Sequence, residues 1–127
     1  MANGLKKIRC YVSLAGINQI KNWHDDLSAQ ERADADQFIE KMRKITDWRL
    51  PYYRPKLIGY KALGELRWSS EKKQHRLIGY LEHGVFFALI GCTHKQQVYK
   101  PAEALKTADK RKKDIKDGRA ETVPYDL

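Results

Sequence analysis

Cysteine, methionine and phenylalanine are scarce in this chain. Its 127 residues include two Cys, two Met and three Phe. Two cysteines cannot build a disulfide framework. Cys10 and Cys92 both fall in apolar stretches and read as reduced core residues of a reducing compartment, a reading that outweighs a redox pair. No apolar run approaches the roughly 18 residues that a membrane span requires, so no membrane partner is expected. The opening Met1-Ala2-Asn3-Gly4 lacks the apolar core of a secretory leader, and a cytoplasmic location is expected. His24-Asp25-Asp26 resembles a set of metal ligands. Adjacent residues on a helix diverge, however, and no second cluster answers them. No metal and no cofactor is expected.

Acidic residues are also few, 16 Asp+Glu against 25 Lys+Arg, for a net charge of +9. The excess is uneven. Residues 1–40 carry a net −1 and residues 41–76 a net +8. Residues 77–99 balance, residues 100–119 carry +4 and the last eight carry −2. Such a distribution suits a polyanion, an anionic surface or an acidic protein. It equally suits a solvated, solubilising surface. Hydrophobic residues make up 42% and aromatics 10%, enough for a packed core. At this length one domain spanning 1–127 is expected, with its core over about residues 5–117 and a tail over 119–127.

Ile8, Cys10 and Val12 alternate with polar neighbours, as in a half-buried strand. Asn18 can cap a helix that carries Ile17, Ile20, Trp23 and Leu27. Ser28-Ala29-Gln30-Glu31 reads as a capping box. It opens a second helix with the stripe Phe38, Ile39, Met42 and Ile45. Leu50-Pro51-Tyr52-Tyr53-Arg54-Pro55-Lys56 is extended, because each proline biases its predecessor away from helix. Three strands follow: one around Leu66 and Trp68, one over His75–Glu82 and one over Val85–Thr93. A polar turn at Ser70–Gln74 and a tight turn at Glu82-His83-Gly84 separate them. A last helix is expected near Pro101, at its first helical position. Its stripe is Leu105, Ala108 and Ile115, and Gly118 ends it. The tail Arg119–Leu127 has no period. The expected architecture is α+β, a small twisted antiparallel sheet in β-α-α-β-β-β-α order. Its helices pack on one face and leave the other open.

On that open face Arg67 lies on the strand of Glu65 and Ser69, and Arg76 on the next strand. If the two strands pair, both arginines project from one side. His94, Lys95, Gln96, Tyr99 and Lys100 lie where the third strand ends. Guanidinium groups grip phosphate bidentately and stabilise a crowded anionic transition state, and His or Lys can move protons. The plainer reading is that the arginines solubilise the sheet or pair with Glu65 and Glu82. The run Lys110-Arg111-Lys112-Lys113 is either a nucleic-acid contact or the wet face of the last helix.

Several segments occur together in order: Leu63–Ser70 with its Glu65-Leu66-Arg67, His75-Arg76-Leu77, the apolar Val85–Cys92, then His94-Lys95 and the Lys100-Pro101 entry to a Lys-rich helix. This ordered set resembles the RelE/HigB superfamily of toxins from type II toxin–antitoxin modules, and within it the phage-derived, HigB-like branch. The resemblance spans about residues 5–117. It implies a RelE-like fold and a ribosome-dependent mRNA endonuclease, an mRNA interferase that needs no metal. In that chemistry the substrate's own 2′-OH attacks the adjacent phosphate. The implied partners are the ribosome with its mRNA, and a cognate antitoxin of helix-turn-helix type.

Carried onto this chain, the resemblance makes Arg76 the phosphate-stabilising arginine and lets Arg67 share that role. His94 or Lys95 falls at a strand-end position where some members carry a His acid. Tyr99 falls near a base-stacking aromatic, and Lys100 follows it. Glu65 falls where one branch uses a carboxylate base, although an ion pair with Arg67 or Arg76 is the readier expectation. Lys61, just before the strand, could replace strand lysines that other members carry. Two alternatives remain open: a ParE-type inhibitor of DNA gyrase, or a non-catalytic binding protein on the same scaffold.

Overall fold

The computed structural model describes residues 6–127. Over these residues the chain is α+β, with three helices and a seven-stranded mixed sheet. The elements are β1 (Lys7–Ser13), α1 (Gln19–Asp25), α2 (Ala29–Arg43), β2 (Tyr53–Arg54), β3 (Gly64–Ser70), β4 (Lys73–Glu82), β5 (Val85–Lys95), β6 (Val98–Lys100), α3 (Ala104–Lys116) and β7 (Ala120–Pro124). The strand order is β2-β3-β4-β5-β1-β7, with β6 paired to the far end of β5.

Local chemistry sets the helix starts. Asn18 Oδ1 accepts from Lys21 N at 3.0 Å and opens α1. The expected capping box is present at α2: Ser28 Oγ accepts from Glu31 N at 3.1 Å, and Glu31 Oε1 accepts from Ser28 N at 3.0 Å. Gly118, at φ +74, stops α3 by donating to Ile115 O, since a residue without Cβ enters the left-handed region at little cost. The hairpins β3–β4 and β4–β5 close on the pairs Glu71-Lys72 and His83-Gly84, all with positive φ. That is the turn geometry that matches strand twist.

Four expectations need correction. First, the helices do not share one face. Helices α1 and α2 cover one side, where Ile20, Phe38, Ile39 and Met42 pack on Cys10, Leu66, Leu77 and Phe86. Helix α3 covers the other side, where Ala104 and Ala108 pack with Tyr11, Ile78, Tyr80, Leu89 and Cys92. The reason is in the strands: Leu77 and Ile78 are consecutive and both fully buried, so both faces of β4 need cover. Second, the sheet is not purely antiparallel, because β1 runs parallel to β5. Third, the tail contains β7, antiparallel to β1, and Tyr125 beyond it is buried with N donating to Ile8 O at 2.8 Å. Fourth, α3 begins at Ala104, after Pro101 rather than on it.

Trp68 anchors the α1–α2 face. It stacks on Phe38 at 4.9 Å and on His75 at 5.7 Å, and meets Trp23 edge-on at 6.1 Å. A Cβ at Gly91 would stand 2.2 Å from the Trp23 ring, so the glycine is what lets α1 approach β5. No helix among the described residues is long and apolar enough to cross a membrane.

Candidate active site

Strand register determines which side chains meet. Arg67 lies opposite Arg76, and Arg76 opposite Cys92. One row further out, Ser69 lies opposite Gln74, Gln74 opposite His94 and His94 opposite Tyr99. Residues two apart on a strand share a face, so all of these belong to the α3 side. Glu65 shares that face. Leu57, Leu63 and α3 close most of it. The rest is an open slot of about 330 Å³, lined by Arg67, Ser69, Gln74 and Arg76 and walled by Pro51 and Tyr52.

Glu65, 2% exposed, organises the cluster. Its Oε2 stands 3.3 Å from Arg67 Nε and 3.5 Å from Arg76 Nε. Its Oε1 accepts the Tyr99 hydroxyl proton. Both arginine Nε atoms are buried, yet neither reaches hydrogen-bond geometry with any partner among the described residues. Each pair is therefore a charge contact, with the N–H aimed elsewhere. Arg76 NH1 donates to His75 O at 2.8 Å, which ties the guanidinium to its own strand. The Tyr99 ring meets the His94 ring edge-on at 4.7 Å.

The electrostatics follow from this crowding. Burial, with the neighbouring Arg67 charge, lowers the pKa of Arg76 below its ordinary value. A guanidinium starts so high that it stays charged. Burial first, then the charges of Arg76, Arg67 and Arg54, hold His94 below the usual histidine value. Its imidazole is therefore neutral at pH 7. Burial, then the hydrogen bond to Glu65, raises the Tyr99 hydroxyl well above its ordinary value, so it remains a donor. Burial, then the Glu65 charge, raises the Cys92 thiol to about 12, an inert value.

Of the expected site residues, the structure brings together Arg67, Arg76, His94, Glu65 and Tyr99. It separates three others. Lys95 and Lys100 alternate to the opposite face, because their strand neighbours His94 and Tyr99 take the α3 side. Lys61 is exposed in the turn before β3, at the other end of that strand from Ser69. The expectation of one surface for all these cations does not hold. The Tyr99 hydroxyl is spoken for by Glu65, so its ring is a wall of the site and the stacking role expected for it weakens. The run Lys110–Lys113 divides: Lys110 and Lys113 are exposed and paired with Asp114 and Asp109, whereas Arg111 turns onto the sheet, donating to Leu89 O at 2.8 Å, and Lys112 lies over the Tyr80 ring.

Sequence reasoning missed Arg54. It lies opposite Glu65 on β2, exposed, and close enough to act on His94. A two-residue strand between prolines has no period to read. Ser69 and Gln74 were also missed as a pair. Ser69 Oγ donates to Gln74 Oε1 at 2.9 Å at the mouth of the slot. Among the described residues no group of three His, Cys, Asp or Glu could hold a metal.

Fold and site together define a small α+β protein with two arginines gathered around a buried glutamate on one face of its sheet. No family model, no curated protein and no solved structure matches the chain.

Proposed function

We propose that the protein is the toxin of a type II toxin–antitoxin module, an endoribonuclease that cuts mRNA on the ribosome. The observation that carries this reading is the register Arg67–Arg76 beside His94. It sets two guanidinium groups on a slot that no carboxylate lines, with one neutral imidazole across Gln74 from them. With Arg54 counted and His94 neutral, three positive charges face the one negative charge of Glu65. A net +2 suits a phosphodiester that gains negative charge in its transition state.

The division of labour follows. Arg67 and Arg76 stabilise the phosphorane as the 2′-oxygen bonds to phosphorus. His94 accepts the 2′-OH proton, a task for which a neutral imidazole is suited and an ordinary acid is not. The bond to the 5′-oxygen breaks, leaving a 2′,3′-cyclic phosphate and a 5′-OH. The proton held by His94 returns to that oxygen through solvent. Glu65 is a positioning residue: Tyr99 occupies one of its oxygens and the arginines the other. Arg54 grips the substrate backbone.

Expression of the chain tests this reading. Growth arrest is expected, relieved by Arg76→Ala or Arg67→Ala in protein that remains folded. Equal toxicity of folded Arg76→Ala protein would sink the assignment. Loss of DNA supercoiling with intact message would favour gyrase inhibition. A small helix-turn-helix antitoxin gene beside this one is also expected.

A further inference from the structure

The strand ends that carry the arginine site also shape a second, larger groove, to which Gln74, His94 and Tyr99 contribute as well. This groove of about 1270 Å³ runs along the ends of β4, β5 and β6, rimmed by Lys72, Lys73, Lys95 and Lys100. No Asp, Glu or Arg lines it. Its apolar surface comes from Val98, which is 60% exposed, and from Pro101 and Ala102. Strand alternation turns Lys73, Lys95, Val98 and Lys100 to this side, away from Arg67 and Arg76.

The groove borders a free strand edge. β5 and β6 form a hairpin across Gln96-Gln97, both with positive φ. In such a two-residue hairpin the flanking pair, Lys95 and Val98, exchanges both backbone bonds, so the next residue points its own outward. The N–H and C=O of Tyr99 therefore face away from β5. The edge strand β7, on the same side of β5, is blunted by contrast. There Arg9 NH2 donates to Thr122 O at 2.8 Å, and Pro124 has no N–H to offer.

We propose that this groove docks an extended, acidic segment of a partner protein as an added strand on β6. Main-chain bonds to Tyr99 give the register. Aliphatic side chains of the segment rest on Val98 and Pro101, and its carboxylates meet Lys95 and Lys100. A nucleic acid would use the lysines but not the strand edge, and would find no guanidinium fork. The docking contacts, Lys95, Val98 and Lys100, alternate to the side away from Arg67 and Arg76, so the proposal stands whether or not that site cuts RNA.

The test uses the full chain, labelled with nitrogen-15, and an acetylated Glu-Val-Glu-Leu-Glu-Val peptide. The expected result is amide shifts confined to residues 93–101. Binding should weaken at least tenfold in Lys95→Glu/Lys100→Glu and change less than twofold in Lys106→Glu/Lys110→Glu on α3. Val98→Asp, at an exposed hairpin position, should weaken it as well. The proposal is overturned if the peptide leaves residues 93–101 unmoved, or if the α3 variant weakens binding as much. It is also overturned if a 2′-O-methyl RNA hexanucleotide shifts these amides and the peptide does not. Loss of RNA cutting by the wild-type chain would count against the nuclease reading and leave this one intact.

Discussion

One buried glutamate stands on each face of the β3–β4 pair, Glu31 on α2 and Glu65 on β3, and the two do opposite work. On the helix face Glu31, 5% exposed, is absorbed by architecture. One of its oxygens completes the cap of α2, and the other stands 3.1 Å from His75 Nε2 and 3.5 Å from Lys73 Nζ. Asp34 reinforces the join by accepting from Ser70 Oγ at 2.6 Å. These contacts bolt α2 to the sheet. On the other face Glu65 faces two guanidinium groups without giving either a proper hydrogen bond, beside an open slot. A carboxylate, a histidine and cations thus make a structural joint in one place and a charged site beside an open slot in the other. Both clusters hold buried polar atoms without hydrogen-bond partners among the described residues, Glu31 Oε2 and His75 on one face and the two arginine Nε atoms on the other; what separates them is the backbone cap that holds Glu31 and the access of Arg67 and Arg76 to solvent. Consecutive residues of β4, His75 and Arg76, serve one side each.

The largest effect expected from this contrast is on cleavage. Arg76→Ala should lower the rate by about 10²–10³, the range seen when a preorganised transition-state donor is removed. Thermal unfolding would check that the fold survives. Glu31→Ala should do the reverse. Losing a cap and stranding His75 should cost about 1–3 kcal/mol in urea unfolding, with the cleavage rate per folded molecule unchanged. If Glu31→Ala abolishes cleavage in protein still folded, the division between the two faces fails.

The two histidines extend the contrast to pH. Burial chiefly holds His75 below the ordinary value of 6.5. The unfolded chain then takes up the proton first, so stability is full above about 6.5 and falls as pH drops through the folded value. The hydrogen bond from Ser28 N chiefly holds Glu31 low, which adds a loss of the same sign at lower pH. Urea midpoints at pH 5 and pH 8 would show it. His94 should set a different limb: cleavage should fall at acid pH with a midpoint below 6.5, and His94→Gln should remove that limb without moving the stability curve by as much. Smallest is a change remote from both faces. His83, at φ +52, is a side-chain residue in the left-handed region, and His83→Asn should stabilise by a few tenths of a kcal/mol.

Much of this was legible in the sequence, and particular residues show why the rest was not. Asn18, the Ser28–Glu31 box, the His83-Gly84 turn and the pairing that puts Arg67 across from Arg76 are all local signals with a short reach. The two-sided cover was also written there, in the unbroken apolar run of Val85–Cys92, but an amphipathic α3 stripe does not say which face it takes. Strands of two and three residues, β2 and β6, have no period, which hid Arg54 and the groove edge. The tail hid β7 because it is a half-covered edge strand in which only Tyr125, just past its end, is deeply buried. Parity decided the lysines: one residue along a strand moved Lys95 from the site of His94 to the opposite surface.

The central proposal is that the Arg67–Arg76 face cuts messenger RNA on the ribosome. Primer extension on a message translated in a purified system, with and without ribosomes, tests it most directly. Wild-type protein should cut within codons only when ribosomes are present, and folded Arg76→Ala protein should leave the message intact. An uncut message with wild-type protein, or equal cutting by folded Arg76→Ala, would contradict it.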